Sequence, residues 1–335
     1  MGKKLIMHIV RFLPFNWLRS LAQRPLIVIN YHSIQGIDPD SVINKNTYRS
    51  KAEFEKDIRF LKEHFDIISP EEIIQTNGNI TNNGLPKVVL TFDDGLAINY
   101  QFFSKILKKY NIKAIFFINP DFIDNRGLHY KRKVNYLLRK NNSESINVVR
   151  SQWEQLFKSV GITPSFVPED LYHITYKKSF IIDQLAHLFQ IDFENVAQKQ
   201  AIYLTSEQIQ EMLDDGFYFG GHSMDHPNYN ELEENEQVLQ SIESIEWVVK
   251  QFELKYALFA FPMNDQKISK SVIEQIHREV DVSFGINGMM DDFTIRHIPR
   301  ITIEQTGQPI KVCLKYEYLK YIFLRMKNGK NFRRK

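Results

Sequence analysis

The chain has 335 residues and a formal net charge of +3, with 43% hydrophobic and 13% aromatic residues and a single cysteine. That length can bury a large core, and the composition is globular rather than disordered. The lone Cys313 excludes an internal disulfide and a cysteine-based metal cluster, and it fits a reducing compartment.

Residues 1–24 carry five Lys/Arg and no acid, and Ile6, Ile9, Val10, Leu13, Trp17, Leu18 and Leu21 recur at helical spacing. This predicts a basic amphipathic helix ahead of the main domain. The apolar stretch 5–10 is cut by Arg11 and Pro14, too soon for a spanning helix or a signal-peptide core. Strands are expected at 26–31, 87–92, 113–119, 217–221, 256–261 and 282–286. Helices are expected near 53–64, 96–109, 206–214, 231–252 and 268–279. Such alternation argues for parallel βα units, and spacing alone leaves a barrel and an open doubly wound sheet equally acceptable. Residues 128–200 interrupt the rhythm, and the helical apolar spacing over 180–189 marks a helical insertion. It would serve as a lid or acceptor wall if it lies beside the strand ends, and as decoration if it does not. No Gly-rich phosphate loop appears, so nucleotide binding has no support.

The chain ends in a basic helix and tail over 306–335. Residues 311–335 hold nine Lys/Arg against Glu317, with Tyr316, Tyr318, Tyr321 and Phe323 among the cations. The two ends therefore carry +5 and +8 and leave −10 on the rest. This pattern suits an anionic membrane surface better than nucleic acid, whose phosphates the acidic body would oppose. A cytoplasmic protein, peripheral on the inner face of a bacterial membrane, is expected. The sequence does not specify an oligomeric state.

Chemistry concentrates at two strand ends. Val88-Val89-Leu90-Thr91-Phe92-Asp93-Asp94-Gly95 is an apolar run closed by two carboxylates, at the edge where α/β folds place their sites. Neighbouring acids need a cation beside them, and a metal would serve, although Asp94-Gly95 alone also reads as an Asx turn. His222 and His226 follow the strand-like Phe217-Tyr218-Phe219, and two imidazoles four residues apart converge on one ion if the segment turns helically. Together they suggest a two-histidine, one-carboxylate centre with open positions.

Thr91-Phe92-Asp93-Asp94-Gly95 and His222-Ser223-Met224-Asp225-His226 resemble the first two motifs of the polysaccharide deacetylases, the NodB-like carbohydrate esterases. Thr205-Ser206-Glu207-Gln208, with Asp215-Gly216 before the histidine strand, resembles that family's approach to its metal site. The resemblance covers most of residues 25–305 apart from the insertion. It implies a distorted, incomplete (β/α) barrel with Asp94, His222 and His226 holding a divalent metal, usually zinc, and Asp93 as general base. The common Leu-x-His acid motif is missing, since no histidine follows residue 297. Leu26-Ile27-Val28-Ile29-Asn30-Tyr31-His32-Ser33 instead resembles the permuted subgroup of exported-polysaccharide deacetylases, which makes His32 the candidate acid. In Tyr256-Ala257-Leu258-Phe259-Ala260-Phe261-Pro262-Met263, Ala260 stands where the family's third motif has arginine. Met263 replaces its aromatic, whose backbone N–H helps form an oxyanion hole. Arg300, in Arg296-His297-Ile298-Pro299-Arg300-Ile301-Thr302-Ile303, is the candidate substitute for the arginine.

The implied activity is metal-dependent removal of N-acetyl groups from amino sugars of a glycan or lipid-linked saccharide in surface polysaccharide biosynthesis. Two other readings stay open. One is O-deacetylation on the same scaffold. The other is an inactive carbohydrate-binding or structural partner of a glycan assembly complex, for which Ala260 counts and against which Asp93 and the three ligands count.

Overall fold

The computed structural model describes residues 2–36, 48–81, 84–304, 307–329, 332 and 334. Its strands are β1 (Leu26–Tyr31), β2 (Asp66–Ile67), β3 (Lys87–Phe92), β4 (Ile115–Ile118), β5 (Tyr218–Gly221), β6 (Leu258–Ala260), β7 (Val282–Gly285) and β8 (His297–Thr302). All pairings between them are parallel. Going round from β1 through β8, β7, β6, β5 and β4 to β3, the sheet returns to β1, so seven strands close a barrel. β2 pairs with Lys87 and Val88 of β3, below the point where β4 takes Thr91 and Phe92. The β5–β6 seam is held at one register position, Gly221 opposite Phe259. The barrel is thus one strand short of eight, and distorted at these two seams.

Strand periodicity decides what enters the barrel. Leu26, Val28, Val89, Ile115, Phe117, Leu258, Ala260, Val282, Phe284 and Ile298 form one buried apolar cluster. These are the alternate residues of each strand, which places them in the interior. Continued upward, the same alternation reaches Asn30 and His32, Thr91 and Asp93, Asn119, His222, and Arg300, Thr302 and Glu304. The C-terminal mouth of the barrel is therefore polar because the inward register runs out of apolar residues there.

The helices outside follow local signals. Ser50 and Glu53 form a capping box on Lys51–His64, and Thr205 and Gln208 form one on Ser206–Asp214. The helix expected over 96–109 begins as a π turn, Asn99–Phe103, before Ser104–Lys109. Two strands and one helix escape the sequence pattern: β2, β8 and Pro70–Gln75. β8 reads His-Ile-Pro-Arg-Ile-Thr, and its proline and two basic residues mask the β signal.

The terminal helices pack on the barrel shell. Phe15, Leu18 and Ala22 are buried in the same cluster as Leu314 and Tyr318. The Phe15 and Tyr318 rings meet edge to face at 6.0 Å, and Lys315 Nζ donates to the Arg11 carbonyl at 2.8 Å. Of the N-terminal apolar stripe, Val10 and Leu18 are therefore core and Leu13 is half-buried, while Ile6, Ile9, Trp17 and Leu21, with Phe12, remain exposed. Of the basic tail, residues 330, 331, 333 and 335 lie outside the described residues.

Candidate active site

A cleft of about 240 Å³ opens at the C-terminal ends of the strands, lined among others by His32, Asp93, Asp94, Asn119, His129, Lys131, His222, His226, Met263 and Glu304. Six of the seven residues singled out from sequence line it, and Arg300 lies buried beneath. The loops that deliver them are bent. Asp94, Ser223, His226 and Met263 all have positive φ, between 55° and 72°. Such conformations cost non-glycine residues about 1–3 kcal/mol each and persist where the surroundings impose them.

The histidine segment does not turn helically as the spacing suggested. After β5 it runs through the left-handed Ser223 and His226, and the Ser223 hydroxyl accepts from the His226 N–H at 3.1 Å. That turn, rather than helical periodicity, brings the two imidazole rings to 5.0 Å between centroids. His222 Nδ1–H donates to the Ala260 carbonyl at 2.7 Å. The carbonyl can only accept, so the neutral ring presents its Nε2 lone pair to the cleft. His222 Nε2 and His226 Nε2 lie 3.7 and 3.3 Å from Asp94 Oδ1. Ligands about 2.0–2.1 Å from one tetrahedral ion stand roughly 3.3 Å apart. Asp94 Oδ1 is buried without a hydrogen-bond partner, an arrangement that a cation would satisfy. Burial, with the charges of His226 and Arg300, outweighs the pull of the two aspartates and lowers His222 to about 4. Burial raises Asp94, but His226, His32 and His222 together hold it well below the carboxylate range. A neutral imidazole and an ionised carboxylate are the forms a metal needs.

A second acidic and histidine group, Asp265, Asp292 and His297, already contains a cation. Arg334 Nε donates to Asp292 Oδ1 at 2.8 Å, and its guanidinium also reaches Asp265. His297 is engaged there by Asp265 and by Ser283. Among the described residues, the Asp94 group is the one of these two without a guanidinium in it.

Asp93 is 2% exposed. Arg300 holds it by two bonds, Nη1 to Oδ1 at 2.7 Å and Nη2 to Oδ2 at 3.0 Å, and Asn30 Nδ2 donates to Oδ2 at 2.8 Å. Arg300 is itself fixed by the Gly285 carbonyl and the Thr91 hydroxyl, with its guanidinium 5.3 Å from the Phe117 ring. Burial would raise Asp93, but Arg300, His222 and His32 prevail and lower it. His32 stands opposite, with Nε2 3.9 Å from Asp93 Oδ2. Its Nδ1–H donates to Glu304 Oε2 at 2.8 Å, and Glu304 also accepts the His32 and Ser33 backbone N–H groups. Burial works against a charged His32, yet Glu304, Asp94 and Asp93 raise it to about 9. Met263 lines the cleft opposite Lys131, whose Nζ is 3.9 Å from its sulfur.

Sequence reasoning missed Glu304, Asn30 and His129. Glu304 is 272 positions from His32, and only the inward alternation of β8, carried two residues past Thr302, could have suggested it. His129, at the start of the insertion, donates through Nε2 to the His226 carbonyl at 3.1 Å. Burial and the charge of His226 push it well below the usual imidazole range. The insertion therefore forms part of the cleft wall, through His129, Lys131 and Arg132.

Comparison with known proteins gives a consistent result. The family model described as Polysaccharide deacetylase matches residues 81–158 and 178–281. YxkH of Bacillus subtilis (strain 168), named as a polysaccharide deacetylase, is 31% identical over 107 residues, which are 30% of this chain and about a third (34%) of that relative. Among solved structures, the Streptococcus pyogenes deacetylase PplD in complex with acetate aligns over 87% of this chain and 97% of its own, with TM-score 0.54 and 17% identity. IcaB from Ammonifex degensii aligns over 88% and 97%, with TM-score 0.53 and 15% identity. A de-N-acetylase from Aggregatibacter actinomycetemcomitans aligns over 84% and 95%, with TM-score 0.52 and 17% identity. At these identities the structural likeness concerns the fold, a deacetylase barrel.

Proposed function

This chain belongs to the polysaccharide deacetylase family, and from that premise we propose that it hydrolyses N-acetyl groups from amino sugars of a glycan or lipid-linked saccharide. The observation that carries the reading is the placement, within one cleft, of a carboxylate clamped by a guanidinium near an imidazole that is bonded to a second carboxylate. Asp93 is clamped by Arg300 and Asn30, while His32 is charged through Glu304.

In this reading Asp94, His222 and His226 would hold a divalent ion, zinc by its mixed imidazole and carboxylate donors, which when bound polarises the acetyl carbonyl and acidifies water. Asp93 then takes the proton of the attacking water on a carboxylate oxygen that Arg300 keeps oriented. His32 gives its Nε2 proton to the amine nitrogen as the C–N bond breaks, so a neutral amine and acetic acid result, and the acid loses its proton to water as acetate. Its Nδ1 bond to Glu304 fixes the ring and sustains its charge, as a carboxylate does for a catalytic imidazole. Arg300 supplies from β8 the guanidinium that Ala260 cannot supply from β6. The Met263 backbone N–H is proposed as an oxyanion donor.

The paired acid and base favour an enzyme over an inactive binding partner, because a binding protein gains nothing from holding two opposed protonation states side by side. We also propose a place of action at the inner face of a membrane. No described helix is long and apolar enough to cross a membrane. Phe12 at 80% exposure and Trp17 at 55%, with Phe323 and Met326, accompany the basic ends.

The metal assignment is tested by metal analysis of the purified chain and its His222→Ala variant. One bound divalent ion per wild-type chain, and loss of stoichiometric metal from a variant with an unchanged circular dichroism spectrum, is expected. Full occupancy in folded His222→Ala would reject the ligand set.

A further inference from the structure

The insertion brings a cation to the cleft that the proposed reaction does not use. Arg300 is occupied by Asp93 and His32 by Glu304. Arg132 is buried, with its guanidinium 5.7 Å from the Tyr203 ring. Lys131 differs. It is half-buried in the cleft wall, with its ammonium 5.8 Å from the Tyr130 ring centroid and hydrogen-bonded to the Met263 sulfur at 3.9 Å, a weak acceptor. No ion pair engages it among the described residues. The helix that carries it, Tyr130–Lys140, has no acid in its first turn.

Glu231 is the acid whose charge reaches Lys131, and its carboxylate is already committed. It accepts the Tyr176 N–H at 3.0 Å and the Asn228 side chain at 2.8 Å. Burial consequently lowers the Lys131 pKa against the pull of Glu231. A partly desolvated ammonium with no carboxylate in ion-pair contact is costly to the free protein, and it gains most from a compact anion delivered into the cleft. Its neighbour Met263 belongs to the loop after β6, and both line the same cleft as His32 and Glu304.

We propose that Lys131 is a specificity residue that binds an anionic oxygen group, phosphate or carboxylate, carried by the glycan beside the N-acetylated sugar. The inference rests on the deacetylase reading and narrows its substrate class from glycans in general to acidic glycans.

The test uses the full chain and three series of N-acetylglucosamine oligosaccharides: neutral, phosphate-bearing, and alternating with a uronic acid. At least one acidic series should be preferred by about tenfold or more in kcat/KM, chiefly through a lower KM, with the preference shrinking as salt is added. The preferred series identifies the anion. Lys131→Met should bring the acidic series down to the neutral one, and Lys131→Arg should retain most of the preference. Equal treatment of all three series by the wild type, or an unaltered acidic-to-neutral ratio in Lys131→Met, overturns the inference. If no series releases acetate, the deacetylase reading is what fails. Calorimetric binding of the same oligosaccharides then decides Lys131 separately: an acidic preference lost in Lys131→Met upholds it, and no preference overturns it.

Discussion

At the level of single residues, the guanidinium that holds Asp93 comes from one strand of the barrel, β8. Ala260 leaves the interior of β6 without a cation, and Arg300 reaches the same carboxylate from β8 with two bonds. In this chain the guanidinium at Asp93 therefore comes from β8 and not from β6. Glu304 supports a prediction at the same scale. His32 is raised from 6.5 to about 9, against burial, chiefly by Glu304. A folded-state pKa above the unfolded one contributes stability that is full below about pH 6.5 and lost as pH rises through about 9. Glu304→Gln removes most of that contribution and lets burial pull His32 down. The alkaline limb of its kcat profile should move to lower pH, with a loss of about tenfold or more at pH 8.5 relative to its own plateau. An alkaline limb in the wild-type position would mean that His32 does not supply the proton. Asp93, Asp94, His222, His226 and His32 were legible because each lies in a short contiguous motif. Glu304, Asn30 and His129 act by partnering residues distant in sequence, and no local pattern marks a partner.

At the level of elements, strand alternation explains both the core and the site. The inward register that buries Val89 and Phe117 carries Asp93 and Asn119 to the mouth, so a strand that slipped by one residue would turn the chemistry outward. Most strands could be read from β-branched and aromatic runs, whereas β8 could not, since Pro299 and the basic His297 and Arg300 interrupt its run. The same element that hid from the pattern supplies the guanidinium at Asp93. The end of β5 is similarly constrained. A Cβ on Gly221 would meet Ser244 Oγ at 2.6 Å and the Ile245 nitrogen at 3.0 Å, on the helix Glu234–Gln251. Gly221→Ala should therefore destabilise by about 1–3 kcal/mol and, by displacing His222, weaken metal binding as well. Thermal denaturation and a metal titration would measure both, and Ser244→Ala should restore part of each. Unchanged metal affinity alongside a lowered Tm would show that the end of β5 moves without carrying His222 with it.

For the whole molecule, the terminal helices are both structural and exposed. Their buried side, through Phe15, Leu18 and Tyr318, belongs to the core, so removing residues 1–24 would strip apolar contacts from the barrel shell. The exposed side can be altered alone. Wild-type protein should co-sediment with anionic vesicles in a salt-sensitive way, since each cation near such a surface contributes about 1 kcal/mol. Phe12→Glu with Trp17→Glu should weaken that binding while leaving the Tm near its original value. Equal recovery with neutral vesicles, or none with either, would contradict a membrane-surface role. The sequence showed the charge asymmetry of the two ends and left open whether the N-terminal apolar stripe docks on the barrel or faces a membrane, because one stripe supplies both the buried and the exposed side. The most direct measurement of the central claim is acetate release from neutral and acidic N-acetylglucosamine oligosaccharides by chelator-stripped protein before and after one equivalent of zinc. Acetate and free amine should appear in equal amounts, and only after the metal is restored. A full rate in the stripped protein, or no acetate with zinc or any other divalent ion restored, would contradict a metal-dependent N-deacetylase.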